Sequence, residues 1–171
     1  MKKVQQQRIE IVRLVVTKHK MSIEIVYGYE LKDEVKTLFT EYNWQARLPR
    51  VKNDITNTLM DIGYTILFNI VNALLEMYGF DVYVGILHTQ FFHRKSLVCD
   101  LEEPFRPIVD AAILKALNLG QINEKDFWKN QNQYILPWKN SKKYVGLILE
   151  ALMEYKNEIF IYLQSYYRAF M

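Results

Sequence analysis

The stretch DITNTLMDIGYTILFNIVNALLEMYG, residues 54–79, reads as one long amphipathic helix and sets the architecture of the chain. Leu59, Ile62, Ile66, Leu67, Ile70, Val71, Leu74 and Leu75 recur at i, i+3/i+4 spacing, the signature of a helix with one face in a core. Gly79 stands where a C-terminal glycine cap belongs. Upstream, NWQARLPR (43–50) is a loop, because Pro49 disfavours helix in the residue before it. Farther back, 4–20 reads as a short amphipathic helix, 21–29 as strand-like or irregular, and 30–42 as helix again. Downstream, FDVYVGIL (80–87) is a strand or a buried connector. A helix covers roughly 97–118 and ends near Gly120. The polar segment 121–143 is a loop or small hairpin, and a last helix runs from Asn140 or Ser141 to about Phe170. This is a mostly α chain with short irregular or strand segments.

The 171 residues suffice for a domain with a real core, and a composition 50% hydrophobic and 14% aromatic excludes a disordered chain. A net charge of +3 permits a nucleic-acid partner without requiring one. Cys99 is the single cysteine, which excludes an intrachain disulfide and a cysteine-built zinc site and favours a reducing cytoplasm. The opening MKKVQQQRIEIV lacks the apolar core of a signal peptide. The most apolar run, 64–75, carries Asn69 and Asn72 and is too short by itself to span a bilayer, so no membrane partner is expected.

The chemistry concentrates in GILHTQFFHRKSLVCDLEEPFRP, residues 85–107. His88 precedes two carboxylates, Asp100 and Glu103, whose spacing puts them on one helix face. Together they offer a nitrogen and several oxygens to a divalent cation, Mg²⁺ or Mn²⁺ in preference to zinc or calcium. The same Asp-x-x-Glu spacing is also that of a helix N-terminus. Asp100 would then cap a free amide, Glu103 would reach back to the cap residue, and Pro104 would sit in the first turn. If the helix starts near Ser96 instead, Pro104 kinks it. A divalent ion beside basic residues suits phosphodiester chemistry. Candidate phosphate binders are Arg47, Arg50 and Lys52 before the long helix and Arg94, Lys95 and Arg106 around the motif, with Lys139, Lys142 and Lys143 as a third group. Taken singly, each is more often a solvated surface charge.

The run TNTLMDIGYTILFNIVNALLEMYGFDVYVGILHTQFFHRKSLVCDLEEPFRPIVD resembles the helical catalytic domain of the CRISPR-associated spacer-acquisition integrases, metal-dependent DNA endonucleases, and among them the type V members. The resemblance rests on Gly63-Tyr64 within the long helix, on Gly85 with Leu87-His88, and on SLVCDLEEPFRP, and it covers residues 42–171. It implies that His88 and Glu103 are metal ligands and that Asp100 belongs to the same site. The family's remaining ligand is a glutamate in a Gly-hydrophobic-Glu motif. Gly28-Tyr29-Glu30 matches it and makes Glu30 the candidate, although Leu31-Lys32-Asp33 departs from the family pattern and an ungapped alignment puts Tyr27 there. The resemblance further implies double-stranded DNA partners (prespacer and CRISPR repeat), a homo-oligomer, and a second adaptation protein. The family's N-terminal β-domain has no counterpart in this sequence, and residues 1–41 read as a partial, deleted or divergent start of the helical domain.

Two readings of function follow. In the first, a 3′-hydroxyl of a short DNA fragment attacks a phosphodiester at the CRISPR array. In the second, the chain is a catalytically incomplete remnant that binds DNA or a partner. An unrelated helical phosphodiesterase that hydrolyses with water is a weaker third.

Overall fold

The computed structural model describes residue 44, residues 46–89 and residues 91–170. The expectations for 4–42, including Tyr27 and Glu30, lie outside the described residues. The long helix is present as α1, Ile55–Met77. Asp54 caps it, its carboxylate accepting the Asn57 amide at 2.6 Å, and Gly79 leaves it at φ 79°. At 23 residues α1 is long and apolar enough to cross a membrane by composition alone. Its fully buried Leu67, Val71 and Leu75 are those of a core helix.

Two expectations about the later helices change. The helix expected over 97–118 is interrupted: α2 (Ser96–Glu102) passes through a 3₁₀ turn (Glu103–Phe105) into α3 (Arg106–Asn118). Pro104 in that turn has no N–H to continue an α-helical ladder, so the axis breaks there. The final helix is likewise two, α4 (Trp138–Glu154) and α5 (Lys156–Arg168), divided at Tyr155. The polar segment contains an antiparallel hairpin of β1 (Trp128–Asn130) and β2 (Gln133–Ile135), paired Trp128 to Ile135 and turning at Gln131, φ 52°. Residues 80–87 form no strand and act as a connector.

Contacts group the chain into two compact units, each drawn from separated stretches. One contains 67–105 and 155–171. Its core is Leu67, Val71, Leu75, Leu97, Val98, Leu101, Phe105, Tyr162 and Leu163, with Phe105 and Tyr162 edge to face at 5.2 Å. The Tyr78 ring stacks on Tyr167 at 5.0 Å, and Phe80 meets Tyr166 at 5.2 Å. The connector is anchored here, with Val82 and Ile86 buried and the Leu97 amide donating to the Val82 carbonyl at 3.0 Å.

The other unit contains 46–66 and 106–154. Leu59, Met60, Val109, Ile113, Tyr144, Ile148 and Leu152 fill it. A β-carbon on Gly63 would lie 2.3 Å from Val109 Cγ1, so only glycine fits where α1 meets α3. The hairpin joins this unit through the Tyr134 amide, 2.6 Å from the Lys52 carbonyl, and through Thr58 Oγ1, 3.3 Å from the Tyr134 carbonyl.

Candidate active site

Three successive amides and an imidazole converge on one buried carboxylate. Asp100, 6% exposed on α2, accepts the amides of Ile86 at 2.5 Å and Leu87 at 2.9 Å on one oxygen. Its other oxygen accepts the His88 amide at 3.2 Å and the His88 ring nitrogen Nδ1. The carboxylate thus holds the turn 86–88 as well as the ring. It caps no helix, which corrects the capping expectation: Asp100 does take free amides, but those of a preceding connector.

Gly85 makes the approach possible. A β-carbon there would sit 2.7 Å from the His88 carbonyl, 2.7 Å from Ser96 Cβ and 2.9 Å from Asp100 Oδ2. Real β-carbons do not come so close, and a backbone carbonyl cannot swing aside as a flexible side chain can.

An ionised carboxylate only accepts hydrogen bonds, so the proton of a neutral His88 sits on Nδ1 and its lone pair on Nε2. The ring is half-buried and the carboxylate enclosed, with side-chain exposures of 32% and 1%. A carboxylate behind an imidazole is the arrangement that orients metal-ligating histidines. Tyr162 lies within reach of the Asp100 charge. Burial foremost, then Tyr166 and Asp100, hold its phenol well above the ordinary tyrosine range.

Glu103 follows Asp100 by three residues, opens the 3₁₀ turn and is exposed. Its neighbour Glu102 is buried. Among the described residues, no three His, Cys, Asp or Glu groups cluster closely enough to hold a metal ion. Imidazole and carboxylate are nonetheless the donor types that Mg²⁺ or Mn²⁺ accepts, and His88 and Glu103 supply one of each.

The basic candidates take different places. Arg47 pairs with Asp61, donates to Asn57 Oδ1 at 3.1 Å and to the Leu48 carbonyl at 3.1 Å, and lies 5.1 Å from the Tyr64 ring centroid. Arg106 lies 5.2 Å from that same centroid. Lys95 donates to Asn72 and to Glu76, both at 2.9 Å. Arg50 and Arg94 are exposed, and Lys52 is half-buried. Lys139, Lys142 and Lys143, with Asp126 and Asn140, line an open depression of the 106–154 unit.

Sequence reasoning missed the network that Arg47 and Arg106 serve. Tyr64 donates to Asp110 at 2.6 Å within the unit that contains 46–66 and 106–154. Burial raises the Asp110 carboxyl to about 6, against the lowering effects of the Tyr64 hydrogen bond and the two arginines. Burial and the Asp110 charge hold the Tyr64 phenol far above its usual range. The signal was present: Asp110 is a lone acid inside the apolar run PIVDAAIL. Asn57, in the first turn of α1, is wholly buried. Its side chain takes the Leu48 amide at 2.9 Å and donates to the Ala46 carbonyl at 3.0 Å, fixing the 46–50 loop against α1.

The described residues thus give a helical domain with a histidine turn clamped by a buried aspartate and an exposed glutamate three residues beyond it. The family model described as CRISPR associated protein Cas1 matches residues 27–150, and the chain belongs to the Cas1 family. A CRISPR-associated endonuclease Cas1 of Leptospira interrogans is 31% identical over 150 residues, covering 81% of this chain and 58% of that protein. Another from Archaeoglobus fulgidus is 35% identical over 107 residues, covering 62% of this chain and 30% of the relative. The chain thus spans less than two thirds of these relatives' own length.

Among solved structures, a casposase bound to integration product aligns with TM-score 0.60 and 30% identity over 66% of this chain and 33% of its own. A Cas1 protein from Thermotoga maritima aligns with TM-score 0.73 over 97% of this chain and 62% of its own, at 23% identity, a likeness of fold. A partial Cas6-RT-Cas1–Cas2 complex aligns with TM-score 0.64 and 27% identity over 74% of this chain and 40% of its own.

Proposed function

We propose that this chain carries out the strand-joining chemistry of CRISPR adaptation, acting in the cytoplasm as a metal-dependent DNA endonuclease and integrase. The observation that carries the reading is the His88–Asp100 pair, which fixes the imidazole with Nδ1 spent and Nε2 available. His88 and Glu103 would hold Mg²⁺ or Mn²⁺, with Glu30, outside the described residues, as the remaining ligand. Such an ion, when bound, neutralises charge on a phosphoryl oxygen and favours the oxygen nucleophile. The protein's own part is positional. Asp100 keeps the ring in one tautomer and orientation, and Gly85 admits the turn that brings ring and carboxylate together. Glu103 supplies an exposed carboxylate three residues after Asp100.

The substrates on this reading are double-stranded DNA, a prespacer fragment and the CRISPR repeat, with the fragment's 3′-hydroxyl attacking a phosphodiester. Support comes from a similar casposase bound to integration product. A Cas1–Cas2 assembly among the similar structures motivates a second adaptation protein as partner, and a homo-oligomer belongs to the same proposal. Arg50, Lys52 and Arg94 are the candidates for phosphate contact, whereas Arg47, Lys95 and Arg106 brace protein groups.

The alternative, a catalytically incomplete DNA-binding remnant, draws on the lack of a three-ligand cluster among the described residues. The two separate in a strand-transfer assay with a short duplex, a supercoiled array plasmid and Mn²⁺. Wild type yields joined products, and His88→Ala and Glu103→Ala yield none while keeping the wild-type helical circular dichroism at the assay temperature. Joined products from His88→Ala overturn the mechanism. DNA binding without joining by wild type selects the remnant.

A further inference from the structure

Helix α4 carries its positive charge at the unfavourable end. The start of a helix favours acidic side chains and disfavours ammonium groups. The first turn of α4 holds no acid, and Lys139, Lys142 and Lys143 follow at spacings of three and four, which set like charges beside one another on the helix surface. Lys143 is compensated. Its ammonium nitrogen lies 3.5 Å from Asp126 Oδ2 and 4.9 Å from the Tyr144 ring centroid. Lys139 and Lys142 have no hydrogen-bond, ion-pair or ring partner among the described residues. Two charges thus stand where they weaken the helix and serve no neighbour.

The three lysines surround a depression of about 490 Å³ whose other walls are Asp126 and Asn140. The groups behind it are fixed. Tyr144, 2% exposed, donates to Asp126 Oδ2 at 2.6 Å and accepts the Asn123 amide at 3.1 Å. Asn140 Nδ2 donates to the Asp126 carbonyl at 2.8 Å, which ties the 124–126 turn to α4. The Tyr144 hydrogen bond foremost, with Lys143, outweighs desolvation and holds the Asp126 carboxyl below the ordinary carboxylate range. Asp126 is therefore ionised and already engaged. Three ammonium groups face one carboxylate, a net charge of +2 in one depression. Trp138, 89% exposed, opens the same helix four residues before Lys142, the spacing of surface neighbours.

From this arrangement we propose that the depression at Lys139, Lys142 and Lys143 binds a small polyphosphate anion, a nucleoside triphosphate or an inorganic polyphosphate. A concavity of this volume is the size of one small molecule. Compact ammonium groups act on phosphate as point charges, and linked phosphates bring several negative charges into that space at once. A duplex, being a convex rod, would meet only the rim. The Trp138 ring adds a flat face on which a nucleotide base can stack. The inference uses neither DNA nor the His88 site.

The test is calorimetric titration of the full chain with sodium tripolyphosphate and with ATP, in EDTA at fixed ionic strength. Wild type binds saturably, and the affinity falls as salt rises. Lys139→Gln/Lys142→Gln weakens both anions at least about tenfold, the effect of losing two charge-assisted contacts. Lys115→Gln/Lys156→Gln, which removes two exposed charges elsewhere, keeps the affinity. Because the lysines are unfavourable where they stand, Lys139→Gln/Lys142→Gln melts at or above the wild-type temperature without ligand. Tighter binding of ATP than of tripolyphosphate, with Trp138→Ala removing only that difference, assigns a nucleotide. Equal binding of the two assigns an inorganic polyphosphate.

The absence of saturable binding of either anion by wild type overturns the proposal, as does unchanged binding in Lys139→Gln/Lys142→Gln. A lower melting temperature of that variant makes the lysines structural and likewise overturns it. If that variant loses affinity for a short DNA duplex by the same factor as for tripolyphosphate, the lysines belong to a nucleic-acid backbone contact and the small-anion site is refuted.

Discussion

Replacing Asp100 by asparagine changes one atom and removes the clamp on His88. The carboxylate accepts Ile86 and Leu87 amides on Oδ2, and the His88 amide and Nδ1 on Oδ1. An amide side chain has one carbonyl oxygen, so whichever way it turns, its NH₂ group faces two N–H donors. Two hydrogen bonds to a charged acceptor disappear, each worth about 1.5–3 kcal/mol, and the site is buried. The expected destabilisation is about 3 kcal/mol, at the lower end because the turn is free to open toward water.

With a urea slope near ~2 kcal/mol/M, that lowers the unfolding midpoint by about 1.5 M. Nitrogen NMR of the ring gives a second readout: wild-type His88 carries its proton on Nδ1, and the variant shifts toward the Nε2 tautomer. Strand transfer falls with it. Gly85→Ala reaches the same pair from the other side, by driving a β-carbon into the His88 carbonyl and Asp100 Oδ2. An Asp100→Asn protein with the wild-type midpoint and an unchanged His88 tautomer would refute the reasoning.

Two further outcomes follow from the unit that contains 46–66 and 106–154. Gly63→Ala meets Val109 at 2.3 Å and destabilises by about 1–3 kcal/mol, checked by thermal melting, and a Gly63→Ala/Val109→Ala double variant recovers most of the loss. Asp110 binds its proton more tightly folded than unfolded, because burial raises it from 3.8 to about 6. Its contribution therefore favours folding at low pH and fades as pH rises through that window, by about 3 kcal/mol in total. Asp110→Asn, which keeps an acceptor for Tyr64, removes this dependence. Urea midpoints across the window then decline less with pH in the variant than in wild type.

The sequence by itself determined the helical class. The 3.6-residue repeat of apolar side chains from Leu59 to Leu75 is a local property, written at fixed spacing and bounded by Asp54 and Gly79, and the fold reproduces it as α1. The polar segment with its hairpin was legible for the same reason. The break at Pro104 was legible as one of two alternatives, because a helix starting near Ser96 loses an N–H there; the division at Tyr155 was not, because a continuous apolar pattern does not record where a helix bends. Within the site, His88, Asp100 and Glu103 could be singled out by type and spacing, but not their separate tasks.

Only tertiary structure decided that Asp100 faces backward onto the 86–88 turn, that Gly85 is glycine to let it approach, and that Arg47 and Arg106 gather around Tyr64 rather than standing as open charges. Those roles depend on which groups meet across long stretches of chain. A buried carboxylate takes whatever donors the fold brings to it, and periodicity along the chain carries no record of them.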